Sequence, residues 1–70
     1  MLVISQDRTW ILNIENIVAI TIEGHAICAK DLSGEIWEIG SYKNEKRCAD
    51  VLESICGYYG AASIFKMPEA

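Results

Sequence analysis

The chain has seventy residues and a formal net charge of −4. A chain of this length forms one domain, spanning 1–70. It buries only about 60% of the surface its unfolded form exposes, so its stability is marginal, and disulfides, a metal or oligomerisation are the usual aids. An acidic pI of about 4.7 makes nucleic acid a poor partner, because phosphate attraction dominates that kind of binding.

In chain order, Leu2-Val3-Ile4-Ser5 is a short β-rich run, followed by the polar cluster Gln6-Asp7-Arg8. Thr9-Trp10-Ile11-Leu12 resumes the β signal, predicting a first hairpin. Asn13 and Glu15-Asn16 interrupt the pattern and predict a loop. Ile17 to Glu23 is the strongest strand signal, because its β-branched residues disfavour helix. It ends at Gly24, and His25 to Lys30 follows through a tight turn. Leu32-Ser33-Gly34 marks another turn, then Glu35 to Ile39 a further strand ending at Gly40. The short spacings predict antiparallel meander pairing.

The period then changes. From Asn44 onward the apolar residues Cys48, Val51, Leu52, Ile55 and Tyr59 recur every three or four positions, predicting a helix. Asn44 is a suitable N-cap and Gly60 a suitable stop. Ser63 to Met67 reads as a final edge strand that Pro68 prevents from extending. The expected fold class is α+β: a small antiparallel sheet of four to five short strands in a meander, packed on one C-terminal helix.

Three cysteines, Cys28, Cys48 and Cys56, cannot all pair within one chain. Cys48 and Cys56 sit on one predicted helix about 12 Å apart, beyond bridging distance. The segment Met1 to Asp7 lacks the basic and long apolar regions of a secretory signal. The cysteines therefore read as small buried apolar groups in a reducing cytoplasm. The single histidine, His25, stands in a predicted turn, and no metal-ligand spacing is present. No stretch reads as a catalytic or cofactor motif. The longest apolar run, Ile17 to Ile22, is far short of a membrane span.

Self-association is what remains. Apolar residues make up 51% of the chain, high for so small a domain. In the predicted strands Val18, Ile20 and Ile22 alternate against Ile17 and Ala19; Trp10, Leu12 and Ile14 against Ile11; Trp37 and Ile39 against Ile36. Two apolar sheet faces and one helix leave a patch uncovered, and a two-fold homodimer would bury it.

Two local features are candidate sites. Lys43, Lys46 and Arg47 are half of the six basic residues and lie at the predicted helix start. Cations there oppose the macrodipole and, with free N–H groups, can receive an anion such as a phosphate. Trp10 and Trp37, with Arg8 or Lys30 nearby, are suited to base stacking or to an interface.

The segments Val3-Ile4-Ser5-Gln6-Asp7-Arg8-Thr9, Ile17 to Ile20, Glu45 to Ile55 and Phe65-Lys66-Met67-Pro68-Glu69 together resemble short, mostly uncharacterised proteins of low-GC Gram-positive bacteria and their phages. The resemblance runs over nearly the whole chain and carries no functional motif. It implies a cytoplasmic, prophage-borne origin. The Lys46-Arg47 pair departs from the more acidic helix start of such proteins.

Two functions are expected from these readings. One is a non-enzymatic homo-oligomeric module that meets itself or a host protein. The other is a counter-defence protein that sequesters an anionic, nucleotide-like small molecule at a subunit interface.

Overall fold

Short β-branched runs favour extended backbone but cannot hide an apolar face by themselves. In the computed structural model, which describes every residue from Met1 to Ala70, they assemble into two three-stranded sheets and one helix, an α+β architecture. The first sheet holds β1 (Leu2–Ile4) between β2 (Ile11–Asn13) and β6 (Ile64–Lys66). β1 runs antiparallel to β2 and parallel to β6. The second sheet is an antiparallel meander of β3 (Ile17–Glu23), β4 (Ala26–Asp31) and β5 (Ile36–Ser41). The helix α1 (Glu45–Tyr58) lies against β3 and β4.

The expected single meander of four to five strands is therefore confined to β3–β5. Its interruption has a local cause. A turn of 3₁₀ helix, Ile14–Asn16, follows β2, and the Asn13 side chain accepts a hydrogen bond from the Glu15 N–H at 3.1 Å. That cap redirects the chain before β3, so β2 and β3 never pair. The final strand then takes the free edge of β1.

Irregular strands also change which residues face inward. The β3–β4 register shifts between Ile17 and Ala19, and a bulge of this kind breaks strict alternation. Ile17 consequently packs on the core with Ile20 and Ile22, while Val18 is exposed. The expected grouping of Ile17 with Ala19 is corrected by this bulge, and Ile14 belongs to the 3₁₀ turn.

The helix follows its sequence signals closely. Asn44 Oδ1 accepts from the Arg47 N–H at 2.8 Å, and Cys48, Val51 and Ile55 are buried at three- and four-residue spacing. Tyr59 is the C-cap, and Gly60, at φ +81°, provides the left-handed stop. One core draws on both sheets and the helix, with Val3, Leu12 and Phe65 from the first sheet and Ile27, Ala29 and Ile39 from the second. The cysteines are free but not all interior, since Cys48 is buried, Cys28 half-buried and Cys56 exposed. No helix is long and apolar enough to cross a membrane.

Candidate binding surface

The two tryptophans, distant in sequence, come together. The chain re-enters β2 after a tight loop in which Arg8 adopts φ +64°. The Ser5 N–H donates to the Trp10 carbonyl at 3.1 Å and fixes the hairpin. Trp37 stands on β5 opposite Ala29, a small neighbour beside which an indole fits. The ring centroids of Trp10 and Trp37 are 5.5 Å apart with planes inclined at 45°, within the range of favourable aromatic pairs.

Trp37 is also held by its polar edge. Its Nε1–H donates to Asp31 Oδ2 at 2.9 Å. The other oxygen of Asp31 accepts from the Ser33 N–H at 2.9 Å, the Ser33 hydroxyl at 2.6 Å and the Glu35 N–H at 3.0 Å. These donors, the Ser33 hydroxyl first and Trp37 next, lower the Asp31 pKa from 3.8 to about 2. Trp10, Ile11, Asn13, Asn16, Asp31 and Trp37 all contribute to the lining of one groove of about 380 Å³. No lysine, arginine or histidine lines it. Arg8 instead donates to main-chain oxygens of Ser5 and Met67, and Lys30 projects from β4 beside Ile36 and Ala19.

Next to the groove lies the outer face of the first sheet. Cross-strand partners share a face. The pairs Leu2↔Asn13, Leu2↔Ile64, Ile4↔Ile11 and Ile4↔Lys66 therefore define it. Four of its six side chains are large aliphatics, and Ile11 is 59% exposed and Ile64 49%. Ile11 joins this face to the groove. The outer face of the second sheet is mixed by comparison, with Thr21, Glu23, Lys30 and Glu38 on it. Ile36, 65% exposed, also stands on that mixed face, and Val18 is exposed at the bulge. The first sheet differs in setting its aliphatics side by side.

The three cations expected at the helix start do not converge. Lys43 and Arg47 help to line a depression of about 500 Å³ together with Ser41, Tyr42, Glu69 and Ala70. Lys46 stands outside it and pairs with Asp50 at 3.8 Å on the exposed helix face. The Arg47 guanidinium donates to the Ala70 main-chain oxygen at 2.9 Å (Nη2) and 3.3 Å (Nε), and lies 5.7 Å from the Tyr42 ring centroid.

Arg47 belongs to a larger arrangement that sequence reasoning missed. Four successive main-chain oxygens of residues 67–70 are each held by a different side chain. Arg8 reaches Met67 at 2.7 Å, the Tyr42 hydroxyl Pro68 at 2.8 Å, Gln6 Nε2 Glu69 at 2.9 Å and Arg47 Ala70. Burial raises the Tyr42 pKa, so the phenol remains a donor. The only advance signal for these roles was the polar cluster after β1. Asp31 was missed as well, although Asp-x-Ser-Gly is a recognisable Asx-turn pattern.

His25 Nδ1 lies 3.2 Å from the Ser41 hydroxyl on the exposed turn. No group of three or more His, Cys, Asp or Glu side chains is arranged to hold a metal ion. Comparison with protein-family models, with curated proteins and with solved structures finds no match to this chain.

Proposed function

We propose that the chain is a non-enzymatic interaction module that works as a homo-oligomer, meeting itself or a host protein through the outer face of the first sheet. The observation that carries this reading is the run of aliphatics on that face: exposed Leu2, Ile11 and Ile64 around half-buried Ile4 of the central strand β1. Soluble proteins rarely leave such a patch open, and two copies of one face can cover each other about a two-fold axis. Its six side chains are fewer than the roughly 20–30 residues a side of a standard interface. The association is therefore weak unless the groove rim joins it.

Light scattering over a wide concentration range tests the proposal. The wild type gains mass above the 7.8 kDa protomer as concentration rises, and an Ile11→Lys, Ile64→Lys double variant stays at protomer mass. A wild type that remains a protomer throughout overturns self-association. Capture of a single protein by the wild type but not the variant would then assign the face to a host partner.

A second reading is sequestration of an anionic, nucleotide-like molecule. What favours it is the shared depression of Lys43 and Arg47. It is the weaker of the two, because Arg47 is already engaged by Ala70 and Glu69 adds negative charge to the same wall. A nucleotide that raises Tm, with the gain lost in Lys43→Ala and Arg47→Ala, would support it. The resemblance to short proteins of low-GC Gram-positive bacteria and their phages favours a cytoplasmic counter-defence setting for either reading.

A further inference from the structure

We infer that the groove between Trp10 and Trp37 binds a small quaternary alkylammonium cation, with the indole faces as its walls and Asp31 as its counter-charge. Three independent features of the groove select this class of ligand.

The first is charge. The groove is lined by one carboxylate and no cation. Four hydrogen bonds, from Ser33, Glu35 and Trp37, fix the Asp31 carboxylate, and its Oδ2 accepts only the Trp37 indole N–H. An anion entering here meets Asp31 unopposed, so phosphates and carboxylates are rejected.

The second is the surface of the walls. Indole faces carry negative quadrupole potential and attract cations better than any other side chain. Because the two planes meet at 45° with centroids 5.5 Å apart, they form a bent wall rather than a closed stack. A roughly spherical alkylated head suits such a wall better than a flat ring does. At about 380 Å³ the groove is within the usual size range of small-molecule sites.

The third is the shortage of acceptors. Asp31 Oδ1 already receives three donors, and Asn13 Oδ1 receives the Glu15 N–H. A primary ammonium or a guanidinium brings several N–H donors. Asp31 Oδ2, which holds one donor already, and the Asn16 side chain can take only part of them, and donors left unpaired are costly. A quaternary head has no N–H group to satisfy. Its methyl groups pack instead on Ile11 and the indoles. Lysine or arginine side chains of a partner are therefore poorer occupants than a free quaternary ammonium.

The test is a titration of intrinsic tryptophan fluorescence with choline, repeated with 3,3-dimethylbutan-1-ol, its neutral isostere. Dilute wild-type protein gives a saturable change with choline and at least tenfold weaker binding of the alcohol. Asp31→Asn weakens choline binding at least tenfold while narrowing the preference over the alcohol. Ligand-observed NMR provides a readout that does not depend on the fluorophores: the choline methyl resonance shifts upfield over the indole faces, and Trp37→Leu removes that shift. Circular dichroism confirms that each variant is folded. The inference is overturned if choline produces no saturable change in the folded wild type. It is also overturned if the alcohol binds as well as choline, or if Asp31→Asn binds choline like the wild type.

Discussion

The side chain of Gln6 pairs with the main chain of Ser41 as a strand residue would. The Ser41 N–H donates to Gln6 Oε1 at 2.7 Å, and Gln6 Nε2 donates back to the Ser41 carbonyl at 2.9 Å. The Gln6 N–H in addition donates to the Ile39 carbonyl at 3.0 Å. One residue thereby joins the first sheet to the edge of the second. Gln6→Glu keeps the size but replaces the Nε2 donor with an oxygen facing the carbonyls of Ser41 and Glu69. Each bond contributes about 0.5–1.5 kcal/mol net, so Gln6→Glu lowers Tm more than Gln6→Ala does. Thermal denaturation of the two variants checks the order.

Gly40 is needed for its lack of a side chain. A Cβ there would sit 2.9 Å from Tyr42 Cε2, 3.0 Å from the Tyr42 hydroxyl and 3.2 Å from Met67 Cε. Tyr42 is tied to Pro68 and buried, so it cannot swing away. Gly40→Ala should destabilise by about 1–3 kcal/mol, as overpacking does. Denaturant unfolding measures this, and the loss should shrink when Tyr42→Phe is added to free the ring.

Acid should weaken the fold partly through Asp31. Its folded pKa of about 2 lies below the unfolded value of 3.8. A depressed carboxyl contributes stability that is present above the unfolded pKa and lost as pH falls through the folded one. The wild type therefore loses Tm between pH 4 and pH 2, and Asp31→Asn loses less over that interval. Calorimetry at pH 2, 3, 4 and 6 separates this slope from the general acid response.

The three thiols should react in a fixed order. Cys56 is exposed, Cys28 half-buried and Cys48 buried. Burial, and then the charges of Glu38 and Glu23, raise the Cys28 pKa above 9.0, which keeps it a thiol at pH 8 and slows it. A disulfide reagent at pH 8 should modify Cys56 quickly, Cys28 slowly, and Cys48 only on unfolding. Mass spectrometry of a time course reads out the order.

Much of this architecture was written in local signals. Asn44 and Gly60 mark the helix because capping depends on the cap residue itself, and Gly24 and Gly34, both at positive φ, mark turns for the same reason. The division into two sheets was not legible, because it depends on β1 meeting β6, a pairing between residues such as Leu2 and Ile64 that no window of sequence contains. The facing of Ile17 was misjudged because a bulge leaves no trace in the hydrophobic pattern. The two tryptophans were singled out by residue type, but their contact and their shared carboxylate depend on tertiary placement. The Lys43–Arg47 cluster looked like a receptor for an outside anion, and the oxygen that Arg47 holds belongs to Ala70.

The parallel pairing of β1 with β6 also sets an order of events during synthesis. The β3–β4–β5 meander uses only neighbours in the chain and can close as soon as it leaves the ribosome. Val3 emerges well before Phe65, one of its two strand partners. Nascent chains should therefore pass through a stage with one finished sheet and one raw β1 edge, the point at which a chaperone or a neighbouring chain would have its best opportunity to engage them.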